Sequence, residues 1–171
     1  MTETEPPGEV LRPPAPEDGA AFWRIARDSA ALDLNSPYAY LLWCRDFAAT
    51  SVVATSTVEG RDEPAGFVMG YLRPGAADTF VVWQVAVASH HRGRGLALRM
   101  LHHLADRLRP GGGRFLEATV TPHNHPSARL FTAFARDRET QVDHHVLFSS
   151  DMFPNDHEDE VLYRIGPLSA T

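Results

Sequence analysis

Residues 79–108 read TFVVWQVAVA, then SHHRGRG, then LALRMLHHLADRL. Thr79–Ala88 is almost continuously apolar, the pattern of a strand covered on both faces. In the third piece Leu96, Met100, Leu101, Leu104 and Leu108 fall on one helical face. Between them lies Arg92-Gly93-Arg94-Gly95-Leu96-Ala97, a glycine turn that hands a strand to a helix. Glycine lets a backbone turn sharply and approach a ligand closely. The amides at the start of the helix then point into the same space, where the dipole favours an anion, and two arginines add positive charge. The stretch is no Walker loop, lacking a Gly-Lys-Ser/Thr ending, and no GxGxxG dinucleotide fingerprint. Its setting reads as a pyrophosphate site.

Working outward, Val10 and Leu11 begin an edge strand that Pro13 and Pro14 stop. Pro16-Glu17-Asp18 opens a helix whose Phe22, Ile25 and Ala26 make a buried stripe. Ser36 caps a second helix, with Pro37 at its first position, running to about Phe47. Ser51–Val58 and Ala65–Leu72 read as strands around a turn at Glu59–Glu63. Arg73-Pro74-Gly75 breaks the second of them. After the central helix come strand Arg114–Val120, loop Thr121–Asn124, helix Pro126–Arg136, a β-like His144–Phe148, an acidic loop Asp151–Glu160 and strand Val161–Ile165. Two helices, a meander, then β-α-β-α-β predict an α+β fold: a mixed central sheet with helices on both faces. One domain is expected over residues 9–171, behind a disordered tail at 1–8.

Composition narrows the function. The 171 residues carry 43% hydrophobic and 22% charged side chains, ordinary for a soluble globular chain. Sixteen basic against 22 acidic residues leave a net charge of -6, without the basic footprint of a nucleic-acid or anionic-membrane binder. All the basic residues are arginine, so a lysine nucleophile, Schiff base or P-loop lysine is excluded. The single cysteine, Cys44, excludes an internal disulfide framework. The nine histidines fall mostly in adjacent pairs, which do not share a face, so no metal site is expected. The acidic first residues are not a secretory signal, and the expected location is cytoplasmic.

Arg92-x-x-Gly95-x-Ala97 after an apolar strand resembles the acetyl-CoA pyrophosphate loop of the GNAT superfamily of N-acetyltransferases. The order of elements is similar from about residue 10 onward. The resemblance implies acetyl-CoA as cosubstrate, held by Arg92, Gly93, Arg94, Gly95, Leu96 and Ala97. It also implies splayed central strands, with main-chain groups of Val85, Ala86 and Val87 bonding the pantetheine arm. Asn124-x-x-x-Ala128-x-x-Phe131 is similar to the second cofactor signature, in which the asparagine contacts pantetheine. Phenylalanine stands where that signature often has a proton-donating tyrosine. Either another group is the acid or the thiolate leaves unassisted, and Phe131 itself reads as core.

Leu11–Pro14 with Glu17–Gly19, Leu32–Tyr40 and Phe115–Pro122 with Asn124 resemble one branch of that family, as do Phe80–Ala88 and Arg164–Leu168. The branch acetylates L-2,4-diaminobutyrate at its γ-amine, a step of ectoine biosynthesis, an osmoprotectant pathway. The resemblance implies a homodimer and a small diamine substrate, without nucleic acid or membrane. Alternatives are another small amine or a peptide, or a non-catalytic acyl-CoA sensor. Such a substrate needs acids for two ammonium groups and a donor for its carboxylate. Substrate-binding candidates are Asp33, Asn35, Tyr38, Trp83, Thr119 and Glu158, with aromatic faces holding an ammonium by ~0.5–2 kcal/mol each. Arg164 and backbone amides compete for the carboxylate. His157, Glu158 and Glu117 are the candidate bases, unranked. Each acid also reads as a solvated side chain, and Tyr40 and Trp43 as core.

Overall fold

The computed structural model describes residues 8–169. The tail expected at residues 1–8 thus lies, Gly8 apart, outside the described residues. Seven strands form one sheet: β1 (Val10–Arg12), β2 (Val52–Val58), β3 (Arg61–Arg73), β4 (Ala76–Val87), β5 (Phe115–Val120), β6 (Val142–Phe148) and β7 (Glu160–Ile165). Their order is β1-β2-β3-β4-β5-β7-β6. Every pairing is antiparallel except β4 with β5. Helices α1 (Gly19–Ser29) and α2 (Pro37–Asp46) cover one face; α3 (Leu96–Leu108) and α4 (His125–Asp137) cover the other.

Two cores follow from those layers. Phe22, Ile25, Tyr40 and Cys44 pack on Val53, Phe67 and Met69, with Phe22 stacked on Phe67 at 4.3 Å. Leu96, Met100, Leu101, Leu104, Phe131 and Phe134 pack on Val52, Val68, Leu116 and Ala118. Adjacent strand residues thus go to opposite cores, as the pleat requires. Local chemistry starts the helices, because a side-chain oxygen at the cap satisfies an orphan amide of the first turn. The Ser36 hydroxyl accepts a hydrogen bond from the Ala39 amide at 3.4 Å, and the Asn124 side chain accepts one from the Ser127 amide at 3.2 Å.

Three strands start two or more residues earlier than the sequence predicts, β4 among them at Ala76 in place of Thr79. β3 begins at Arg61 and runs through Pro64. That residue lies past the last pair with β4 (Gly66 with Val87) and at an irregularity in β2, where a missing N–H breaks no ladder. β6 starts two residues early, at Val142. Among the described residues no helix is long and apolar enough to cross a membrane.

Between the partners of Gly70 and Met69 of β3, β4 carries one extra residue, Trp83. This bulge reverses the pleat. Phe80 and Val82 face the α3–α4 core before it; Val85 and Val87 pack on that core after it, while Ala86 joins the α1–α2 core.

Candidate active site

The parallel pairing of β4 and β5 lasts four residues, from Thr79 with Phe115 to Val82 with Ala118. Beyond it the strands part, and β4 exposes a free main-chain edge. The Ala88 amide bonds the Ala65 carbonyl of β3 at 2.8 Å, which fixes the parity. In an antiparallel ladder alternate residues turn their N–H and C=O to the same side. Ala86 therefore turns to β3, whereas Val85 and Val87 turn to the opening. Of the three residues expected to hold pantetheine by their main chain, two are so placed and Ala86 is not.

At the wide end of the opening the turn delivers α3. Gly93 and Gly95 have φ of 75° and 70°, with open space where a Cβ would stand. Conformation and not crowding therefore demands glycine at both. The first bond of the helix runs from Arg99 to the Gly95 carbonyl, leaving the amides of Leu96, Ala97 and Leu98 pointing outward. The Leu96 side chain is core, so only its amide is available. Arg92 Nε donates to the Val87 carbonyl at 3.0 Å, and Arg94 is exposed. Beneath the turn, Glu9 bonds Arg99 at 2.7 Å and His91 at 3.3 Å. The Arg99 guanidinium is the main reason its carboxyl is held down at about 2.

At the other side of the opening lies a cavity of about 520 Å3. Its walls are Ala31–Asp33 and Asn35 between α1 and α2, Trp83 and Gln84 of β4, Thr119, Thr121 and Asn124, and Asp156–Glu158 with Glu160. Two features shape it. Gln84, buried in β4, donates to the Asp33 carbonyl at 2.8 Å and accepts from the Tyr40 hydroxyl at 3.0 Å, tying the loop to the sheet. His157 stacks on Phe153 at 4.0 Å and bonds the Glu158 carbonyl through Nδ1 at 2.6 Å. A carbonyl only accepts, so Nδ1 carries the proton. Nε2 then faces the carboxylates of Asp33 at 3.6 Å and Glu160 at 3.8 Å. The bond to the Glu158 carbonyl, then those two carboxylates, hold the imidazole pKa above its ordinary 6.5. Glu158 is in turn bonded by His123 Nδ1. The chamber can hold a cation, and Nε2 can take a proton from it.

The expected residues divide accordingly. Asp33, Asn35, Trp83, Thr119, His157 and Glu158 line this chamber together, and Asn124 lines it while its side-chain carbonyl caps α4. Two others do not. Tyr38 is 67% exposed on α2 and lines neither this cavity nor its neighbour. Glu117 lines the neighbour, a space of about 600 Å3 that shares Trp83, Thr119 and Glu160 with the first. It is 5% exposed, and its carboxylate is held by Arg164 and, at 3.5 Å, by Arg73. Its carboxylate is thus engaged by guanidiniums in the neighbouring space and does not face the chamber. Tyr40 is core, at 1% exposure, and Trp43 stacks on Trp83 at 4.1 Å. Phe131 is also core, so no hydroxyl stands at that position.

Sequence reasoning missed Gln84, Glu160, His123 and Arg73 as site residues. Glu160 had a usable signal, standing three residues after His157 where an acidic loop becomes a strand. Gln84 had another, a lone amide in an apolar strand. Among the described residues no group of three or more His, Cys, Asp or Glu is arranged to hold a metal ion.

Comparison with known proteins agrees with this geometry. Residues 19–135 match the acetyltransferase (GNAT) family. The chain is 54% identical over 172 residues to an L-2,4-diaminobutyric acid acetyltransferase of Streptomyces coelicolor, covering 99% of each chain. It is 52% identical to the protein of that name from Streptomyces anulatus, covering 91% of this chain and 88% of the other. Among solved structures it is similar to the diaminobutyrate acetyltransferase EctA of Paenibacillus lautus, in complex with L-2,4-diaminobutyric acid and coenzyme A. There the TM-score is 0.86 at 40% identity, over 95% of this chain and 97% of that one.

Proposed function

The chain belongs to the acetyltransferase (GNAT) family, and from that we propose that it transfers acetyl from acetyl-CoA to the γ-amine of L-2,4-diaminobutyrate, giving N4-acetyl-L-2,4-diaminobutyrate. The observation that carries this reading is the acid-ringed chamber opening onto the free edge of β4. It offers Asp33, Glu158 and Glu160 to a substrate with two ammonium groups, beside the imidazole Nε2 of His157.

In this reading the diphosphate sits on the outward amides of Leu96, Ala97 and Leu98, with Arg92 and Arg94 beside it. The pantetheine arm extends along the free edge, bonded by Val85 and Val87 in the manner of an added strand. Asn124, its side-chain carbonyl engaged in the cap, keeps its amide N–H groups for the same arm. The thioester thus reaches the chamber mouth.

An alkyl ammonium titrates near ten in water, so the attacking nitrogen must lose a proton. His157 Nε2 takes it, with Asp33 and Glu160 stabilising the imidazolium. The nitrogen lone pair forms the C–N bond, and negative charge develops on the thioester oxygen. The Val85 amide is placed to meet it. As the C–S bond breaks, CoA departs as a thiolate, and the nitrogen sheds its second proton to solvent to leave the neutral amide. The thiol's ordinary pKa of ~8.5 makes that departure tolerable without a tyrosine, in keeping with a core Phe131.

Incubating the protein with acetyl-CoA and L-2,4-diaminobutyrate is expected to release CoA, with NMR placing the acetyl group on N4. Turnover of a different amine without turnover of this one removes the substrate assignment and leaves the reaction class. The product is the intermediate expected in ectoine synthesis, and hence in osmoprotection. Use of acetyl-CoA as cosubstrate supports a cytoplasmic setting. A homodimer is supported by the exposed Val146 on edge strand β6, with Met152 beyond it.

A further inference from the structure

We propose that Arg73 reads the α-carboxylate of the amine substrate and so sets which nitrogen meets the thioester. The inference rests on the diaminobutyrate reading and goes beyond it. The second cavity shares a wall with the chamber, and its far side is largely apolar, formed by Leu147, Phe148, Phe153 and Leu162. Apart from Glu160 on the shared wall, its charged residues are Arg73 and Glu117, which meet in one corner. Arg164 already neutralises Glu117 and is stacked over the Phe115 ring at 4.0 Å, outside the cavity lining. Two guanidiniums against one carboxylate leave a single positive charge in that corner. It belongs to Arg73, whose side chain is 53% exposed. The fork of donors on a guanidinium suits a planar carboxylate.

The spacing fits the substrate. Glu117 and Thr119 are two residues apart on one face of β5, which puts them about 7 Å apart along the strand. Four covalent bonds separate the γ-nitrogen of diaminobutyrate from its carboxylate carbon, a comparable reach. With the carboxylate on Arg73, the α-ammonium falls against the shared wall beside Glu160. The γ-amine then extends past Thr119 toward His157. Arg73 recognises an α-amino acid and orients it; Glu117 is a positioning residue that holds the guanidinium. This displaces Arg164 as the carboxylate donor considered from the sequence.

The test compares two amines on the full-length protein. L-2,4-Diaminobutyrate is assayed as substrate, and 1,3-diaminopropane, the same chain without the carboxylate, as a competitor whose Ki is measured. Arg73→Met is expected to raise the KM for diaminobutyrate about tenfold or more, as loss of a charge-assisted pair does. The Ki of diaminopropane and the KM for acetyl-CoA should stay within about twofold, and Arg73→Lys should recover part of the loss. NMR of the Arg73→Met product should show acetyl groups on the α-nitrogen as well. If both amines weaken together, the role is structural and the proposal fails; if neither changes, Arg73 touches no carboxylate. A wild-type protein inert toward diaminobutyrate would instead sink the substrate reading itself.

Discussion

The two sides of the β4–β5 opening, proposed to take the diphosphate and the amine, are built by different means. The diphosphate side is made of main chain: consecutive amides at 96–98, two left-handed glycines and the free edge at Val85 and Val87. The amine side is made of side chains, gathered from residues 31–35, 83–84, 119–124 and 156–160, which meet only when the sheet is complete. A main-chain receptor depends on backbone shape and tolerates exchange of most side chains. A side-chain receptor depends on each group and on whatever orients it. Substitutions should therefore separate the two sides by the kinetic constant they disturb.

The largest effect is expected for Gly95→Trp, which puts a bulky residue at φ 70° where the diphosphate would lie. Calorimetry should detect no acetyl-CoA binding, while circular dichroism shows an intact fold. Retained binding would mean that the glycine turn is not the receptor. His157→Ala should lower kcat by about 100-fold or more, the usual scale for a general base, with the KM for acetyl-CoA little changed. The pH profile sharpens this. A base whose folded pKa is raised is deprotonated only above that raised value, so the acid limb of kcat/KM for the amine should lie above 6.5. Asp33→Asn removes one carboxylate that favours the imidazolium; the limb should move to lower pH and the KM for diaminobutyrate should rise about tenfold. A change confined to acetyl-CoA kinetics would place Asp33 on the wrong side.

The smallest effect belongs to Glu9, below the glycine turn. Its carboxyl is depressed from 4.5 to about 2. Its stabilising contribution is therefore present above 4.5 and lost as pH falls toward 2. Glu9→Gln should cost about 1 kcal/mol at neutral pH, a typical net value for such a bond. Thermal melts of variant and parent should converge as the pH drops through that window. A gap independent of pH would show that the contribution is not the charge.

The same division explains what the sequence disclosed. The strand, glycine turn and helix over residues 79–108 were legible because the three are contiguous, and their spacing is their structure. The caps at Ser36 and Asn124 were legible for the same reason. The chamber was legible only in part. Asp33, Trp83 and Glu158 carried the chemistry a diamine needs, but nothing local says that β7 inserts between β5 and β6 and so brings the His157–Glu160 segment beside Asp33 and Trp83. Glu117 shows the limit. Alternation along β5 gives the face its side chain is on, but not that Arg164 and Arg73 close over it. Tyr38 has the right ring on the wrong turn of α2, and Ala86 the wrong parity.

That parity goes back to one residue. Trp83 is the supernumerary member of its strand, so the positions on its two sides are counted out of step: Phe80 and Val82 share a layer before it, Val85 and Val87 after it. An unbroken alternation counted from Val82 would send Val85 and Val87 to the opposite layer and turn the Ala86 peptide to the gap. Excising Trp83 would leave Gln84 opposite Met69 and every later pair as it stands, so such a deletion should smooth the strand and cost the chamber one indole wall without scrambling its frame.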